Sequence, residues 1–337
     1  MSAQTPAAGL PETGRIPAGW RVVAGKELTD HVVSIRFLLL LIMLGALGVG
    51  AIYTVSGSIR DAAAQVSGAR GIFLYLFTLN PPTSLSQSLP PFVQLVGFVG
   101  PLMGIAFGFS SINAERADGT LPRLLSQPIH RDDVINGKFV AGLAVIALIL
   151  GVVILFISAI GIIRLGLVPA PDDILRLFAW YVLTVVYVGF WLALATLASV
   201  VFRNSGTAFF AVLAVWLILT FFGGTVIDAI GGFLAPAGQG ASVAEQIRRA
   251  EVVQTLHRAT PNRLFAEIGQ VLLDPRVQTV DIQGILQLRS TNRSLATVLP
   301  IGQSLLIIWP QVVGLIALTS LCFSAAYVTF MRQEVRA

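Results

Sequence analysis

Charge is the scarcest property of this chain. Asp, Glu, Lys and Arg make up only 12% of its 337 residues, while 55% are hydrophobic. Soluble domains carry roughly 25% charged residues, so this balance, with a mean hydropathy of +0.82, excludes a soluble globular protein. Cysteine is almost missing as well: Cys322 is the only one. That removes any intrachain disulfide or Cys-based metal site, and its place in the last apolar run suits a small buried hydrophobe. There is no G-x-x-x-x-G-K-[ST], because Gly137-Lys138 has neither the upstream glycine nor a following Ser or Thr. A nucleotide phosphate therefore has no P-loop here. H-E-x-x-H, C-x-x-C and G-x-S-x-G are absent too, and His31, His130 and His257 fall in different segments without the spacing of zinc ligands. The first twenty residues contain no apolar core of a signal peptide and read as a disordered cytoplasmic tail.

Long apolar runs are what the sequence has instead. A helix needs about 20 apolar residues to cross a ~30 Å hydrocarbon core. Six such runs recur, at about 37–57, 92–113, 139–163, 178–202, 207–230 and 305–330. The expected fold is an all-α membrane protein with six transmembrane helices and both termini on one side. Net charge is +5. No aromatic-basic patch points to nucleic acid, and the cations are explained by membrane orientation. With the termini inside, the inner segments hold eleven Lys and Arg and the short outer loops four, among them Arg164 and Arg176. Segment 231–304 adds seven arginines on the outer side, but segments longer than about 60 residues are translocated largely regardless of charge. This places the protein in the plasma (inner) membrane with N- and C-termini cytoplasmic, residues 331–337 forming the C-terminal tail.

Ahead of the first span, residues 21–36 alternate apolar and charged positions at roughly helical spacing. They read as an amphipathic helix in the inner interface or, equally, as an inward extension of the first span. In 231–304, Ser242 and Glu245 stand at capping-box spacing, and Thr260-Pro261 is an N-cap followed by a proline at the first helical position. Two helices are expected there, the second ending at Asp274-Pro275. Ionisable residues are nearly absent from the spans, which disfavours a carrier driven by a coupling ion. The energy has to come from another polypeptide. Gly97, Gly100, Gly104 and Gly108 recur in the second span at close spacing. They suit a helix-packing face; the sharper alternative is a substrate path lined by Gly97, Gly104, Gly108, Thr184, Thr196 and Thr220.

The most polar short stretch is "NAERADGTLPRLLSQPIHRDDVINGK", Asn113 to Lys138. Asn113 to Asp118 extends the second helix beyond the membrane, and Gly119 can stop it in the left-handed conformation. Thr120 caps a new short helix that tolerates Pro122 in its first turn and ends at Pro128. Leu121, Leu124 and Leu125 give that helix an apolar face, with Arg123 pointing elsewhere. Asp132 and Asp133 then favour the start of the third helix, entered through Gly137-Lys138. Leucines on a stiff lever outside the membrane are expected to dock into a partner.

The run Glu115 to Phe139 resembles the signature of ABC-2 type permeases, the membrane subunits of a class of ABC transporters. The match covers Glu115, Gly119, Thr120, Leu124, Leu125, Ser126, Pro128, Ile129, Arg131, Gly137 and Lys138. The six-span layout, the N-terminal helix and the helical segment before the last span are similar to this family as well. Within it the pattern is nearest to single-domain bacterial exporter-type permeases. His130 departs from it, standing where the family often has a small hydroxyl residue. The resemblance implies a permease subunit paired with a second copy or a close relative, surrounded by membrane lipid, and served by two copies of a separate ABC ATPase that binds ATP and Mg. No cofactor would be bound by this chain, and it would not itself be an enzyme. A cytoplasmic coupling helix at 120–127 would enter the ATPase, with Leu124 and Leu125 as anchor and Glu115 and Arg131 as polar contacts. An importer-type ABC permease and a membrane scaffold or sensor that transports nothing are the alternatives.

Overall fold

A computed structural model describes residues 19–65, 71, 73–78, 90–119, 130–236, 241–280 and 298–333. The regular elements among the described residues are all helices, and six helices or helix pairs are long and apolar enough to cross a membrane. Helix α1 (Gly19–Val33) is followed by α2 (Ile35–Gln65), the short α3 (Tyr75–Thr78), α4 (Phe92–Gly108) and α5 (Asn113–Ala117). Next come α6 (Arg131–Leu165), α7 (Pro171–Val201) and α8 (Ser205–Leu217), which passes through a π turn (Ile218–Phe222) into α9 (Gly223–Leu234). Helices α10 (Val243–His257), α11 (Pro261–Leu273) and α12 (Ile301–Arg332) complete the order. The spans are α2, α4 with α5, α6, α7, α8 with α9, and α12.

The two readings of the N-terminal stretch are separated by Ser34. Its hydroxyl donates to the His31 carbonyl (2.6 Å) and accepts from the Phe37 amide (3.3 Å), holding a bend between α1 and α2. The stretch is therefore its own helix, not an extension of the span. The third and fourth helices start earlier than their apolar runs, at Arg131 and Pro171 instead of about 139 and 178. In both, a carboxylate three residues after the cap accepts the cap amide: Asp133 takes His130 (3.2 Å) and Asp173 takes Ala170 (3.1 Å). Satisfying an amide that has no helical partner lets each helix extend beyond the hydrocarbon.

The second and fourth spans pack more closely than side chains allow. A Cβ on Gly104 would lie 2.6 Å from the Val188 carbonyl oxygen, and one on Gly108 would lie 2.8 Å from that of Leu192. Both contacts are to backbone, so only glycine permits this approach. Gly100, Gly104 and Gly108 thus form a packing face between α4 and α7.

Segment 231–304 carries the two expected helices. Ser242 accepts from the Glu245 amide (3.3 Å) while Glu245 accepts from the Ser242 amide (2.8 Å), so the capping box is formed. Pro261 opens α11 and Asp274 follows its last residue. Thr260 differs from expectation: its hydroxyl donates to the His257 carbonyl (2.7 Å) and does not cap. The position of α11 is the larger surprise. Leu264, Phe265, Ile268, Val271 and Leu272 are buried in the main core with residues of α4, α7 and α12, so α11 is part of the bundle. Arg176, expected in a short loop, lies in the first turns of α7 with no exposed surface. It donates to Asp172 (2.7 Å), Ser304 (3.0 Å) and the carbonyls of Leu272 and Leu299. A guanidinium against the last carbonyls of α11 satisfies orphan acceptors and complements the helix dipole. Arg176 thereby pins α11 and the start of α12 to the fourth span.

Candidate functional site

The two ends of the 113–138 stretch are fixed by a polar knot at one end of the bundle. Ser199 of α7 accepts from the Ile112 amide (2.9 Å) and the Asn113 amide (3.2 Å), so a hydroxyl from the fourth span caps α5. The Asn113 amide oxygen accepts from Ser205 (2.8 Å). Gly119 has φ +66°, and its amide bonds to the Arg116 carbonyl (3.2 Å), giving the left-handed stop that its residue type suggests. Glu115 projects from α5 onto Lys138 of α6, with Oε1 and Nζ 2.7 Å apart. Glu27 of α1 meets the same ammonium at 2.8 Å. The Lys138 side chain is only 6% exposed. A cation removed from water to this degree requires close counter-charges, and it obtains one from each of two other helices.

Gly137 explains why a glycine precedes that lysine. A Cβ there would lie 2.7 Å from the Val23 Cβ and 2.8 Å from the Trp20 carbonyl oxygen, so α1 crosses α6 against its backbone at this point. Asp133 completes the joint. Its Oδ1 accepts the Trp20 amide at 3.0 Å, one of the first-turn donors of α1 that has no partner within its helix. One carboxylate thus serves the starts of both α1 and α6. His31 of α1 rests edge-on against Phe107 at 5.2 Å. Burial pushes its pKa down, opposed by Glu27 and assisted by Lys138 and Arg36, so the imidazole is neutral at neutral pH.

Within the same stretch, Arg131 donates to the Gln333 carbonyl (2.9 Å) and sits 5.5 Å over the Phe330 ring. Arg116 donates to the Val200 carbonyl (3.1 Å) and to the Gln333 side chain, which itself donates to Val200 (2.9 Å). Below them Ile112, Ile135, Val200, Ala326 and Phe330 form a small apolar cluster of their own. The helices entering and leaving 119–131 are therefore tied to α1, α7 and α12.

Of the coupling residues named from the sequence, Glu115, Gly119, Arg131, Gly137 and Lys138 meet in this region. Glu115 and Arg131, read as contacts to a partner, each have a partner within the chain. Thr120, Leu121, Arg123, Leu124, Leu125, Ser126 and Pro128, with the helix expected at 120–127, lie outside the described residues. Sequence reasoning missed Glu27, Ser199 and Gln333 as members, and it read Asp133 only as favouring the start of α6, without its bond to Trp20. The signal that could have found Glu27 is Lys138 itself, since a lysine at the mouth of an apolar span calls for nearby acids.

The residues considered for a substrate path divide. Gly104 and Gly108 are sealed against α7. Thr184 and Thr196 are buried and donate to carbonyls of their own helix, Trp180 (2.7 Å) and Leu192 (2.8 Å). Gly97 and Thr220 instead line a cavity of about 760 Å³ at the opposite end of the bundle from Lys138, together with residues of α3, α4, α7 and α11.

The family model described as "ABC-2 family transporter protein" matches residues 21–335 of the chain. The curated proteins searched contain no match to it.

Proposed function

The chain belongs to the ABC-2 family of transporter proteins, a multi-pass membrane permease, and from that premise we propose how it is driven. It is the membrane subunit of an exporter, in the plasma (inner) membrane, with both termini in the cytoplasm and α1 lying in the inner interface. A second permease copy or close relative completes the path. Two copies of a separate ABC ATPase carry the Walker motifs, ATP and Mg, this chain having no P-loop sequence of its own. The helix at 120–127 enters a cleft of the ATPase, with Leu124 and Leu125 buried there and Gly119 and Pro128 setting the bend.

The observation that carries this reading is the knot around Lys138. A lever does work only if its ends cannot slip. Glu115 and Lys138 join the second and third spans directly and draw in α1 through Glu27. Arg116 and Arg131 reach Gln333, just past α12. A displacement of 119–131 is therefore passed to four elements together. The test replaces Leu124 by Asp in the assembled permease and ATPase, and measures ATP hydrolysis in membranes. The expected result is loss of permease-dependent hydrolysis with insertion intact. Unchanged coupling overturns the assignment.

A further inference from the structure

The cavity remote from Lys138 has a composition that selects a ligand. Its volume of about 760 Å³ falls within the range of small-molecule sites. One wall is aromatic: Tyr187 and Phe265 stack with centroids 4.3 Å apart, and Phe98 packs edge-on to Trp216 at 5.0 Å. The same cavity holds a chain of uncharged polar groups. The Tyr187 hydroxyl lies 2.8 Å from the Gly97 carbonyl oxygen and 2.9 Å from the Asn262 side-chain oxygen, and the Asn262 amide nitrogen lies 3.2 Å from the Thr220 hydroxyl.

A phenol has one proton and cannot donate to both acceptors. Turning over the Asn262 amide resolves the conflict. Tyr187 then donates to Gly97 and accepts from Asn262, while Thr220 donates to the Asn262 oxygen. In either orientation one Asn262 amide hydrogen has no partner among the described residues and is available to an incoming oxygen. Thr220 reaches this cluster from the π turn of the fifth span, an irregularity that occurs frequently at functional sites.

Charge in the lining is confined to one side chain. That side chain is Asp274. It accepts from the Arg276 amide at 3.0 Å, and the Arg276 guanidinium stands 5.6 Å over the Tyr75 ring that also lines the cavity. No other lining residue carries an acidic or basic side chain.

We propose that this cavity, formed within one permease chain, binds an uncharged amphipathic molecule. Its apolar body lies along Phe98 and Phe265, and its hydroxyl or carbonyl bonds to Asn262 and Thr220. Binding is a property of the permease alone; that the ligand is transported cargo rests on the function proposed above. The test uses the full chain in phosphatidylcholine nanodiscs, without ATP or ATPase, so its result is independent of coupling. A diazirine-bearing monoacylglycerol is photolysed and the labelled peptides are mapped. Label is expected to concentrate on residues 92–98 and 261–274 and to be displaced by excess monoolein but not by oleate. Ala266→Phe, which fills the cavity from an exposed position of α11, should abolish the concentration of label. Thr220→Val keeps the shape and should weaken binding about fivefold by removing one hydrogen bond. Label spread evenly over the lipid-facing helices, insensitivity to both variants, or equal competition by oleate overturns the proposal.

Discussion

Replacing Lys138 by Met removes the cation at the centre of the knot while keeping most of its apolar stem. The Glu27 and Glu115 carboxylates, 2.8 and 2.7 Å from the lost ammonium, are left no more than about 5.5 Å apart. At an effective dielectric constant of about 20, two like charges at about 5 Å repel by about 3 kcal/mol. Breaking a buried pair by removing one partner costs about 3 to 5 kcal/mol. Here the carboxylates are 15% and 19% exposed and can turn partly to water, which places the cost at the lower end, about 2 to 4 kcal/mol. The least anchored element yields first. Helix α1 holds the third span through Val23, Asp133 and this ion cluster, so it is expected to undock before the spans separate. Hydrogen exchange in detergent should show α1 opening about a hundredfold more often, with little change in α7. The triple variant Lys138→Met, Glu27→Gln, Glu115→Gln removes the repulsion and should recover most of the protection. A loss below about 0.5 kcal/mol with unchanged exchange in α1 would falsify the view that the cluster is a buried joint and would class it with exposed ion pairs of little worth.

Three further outcomes follow from the same contacts. Gly137→Ala should loosen α1 by about 1 to 3 kcal/mol through overpacking, and Val23→Ala should not rescue it, because the Trp20 carbonyl oxygen also obstructs the new methyl; exchange in α1 reads both. Arg176→Met strands the acceptors at Leu272 and Leu299, each costing about 1 to 3 kcal/mol when left buried, so limited proteolysis should cut between α11 and α12 sooner. His31 has a folded pKa below its unfolded value. Its contribution is fully present above the unfolded value of about 6.5 and is lost as pH falls from there toward the folded pKa. The melting temperature should therefore drop between about pH 7.5 and about pH 5.5, and His31→Phe should flatten that drop.

The sequence made the spans legible because apolar length alone decides what can cross a bilayer. Helix ends were legible where chemistry is local, as at Gly119, Ser242 and Pro261. The start at Arg131 was legible from Asp132 and Asp133 in its first turn, while the one at Pro171 was missed, where a carboxylate cap carries the helix past the apolar run. What stayed hidden depends on distant partners. The apolar face of α11 was visible as a helix, but its burial rests on cavities between spans that no local pattern encodes. Glu267 of that helix is 1% exposed and meets Arg258, Arg263 and Gln311, an arrangement spread over residues 258 to 311. The Gly-Lys pair was visible, but its reason, a crossing helix and two acids from elsewhere, exists only in three dimensions.

The claim that residues 119–131 receive force from a partner ATPase is tested most directly by contact. A photo-crosslinking amino acid placed at Leu125 of the full-length permease in cells should capture one subunit bearing Walker motifs. The same group at the exposed Val243 of α10 should capture none. Absence of an ATPase adduct at Leu125, or an equal adduct from Val243, would contradict the account.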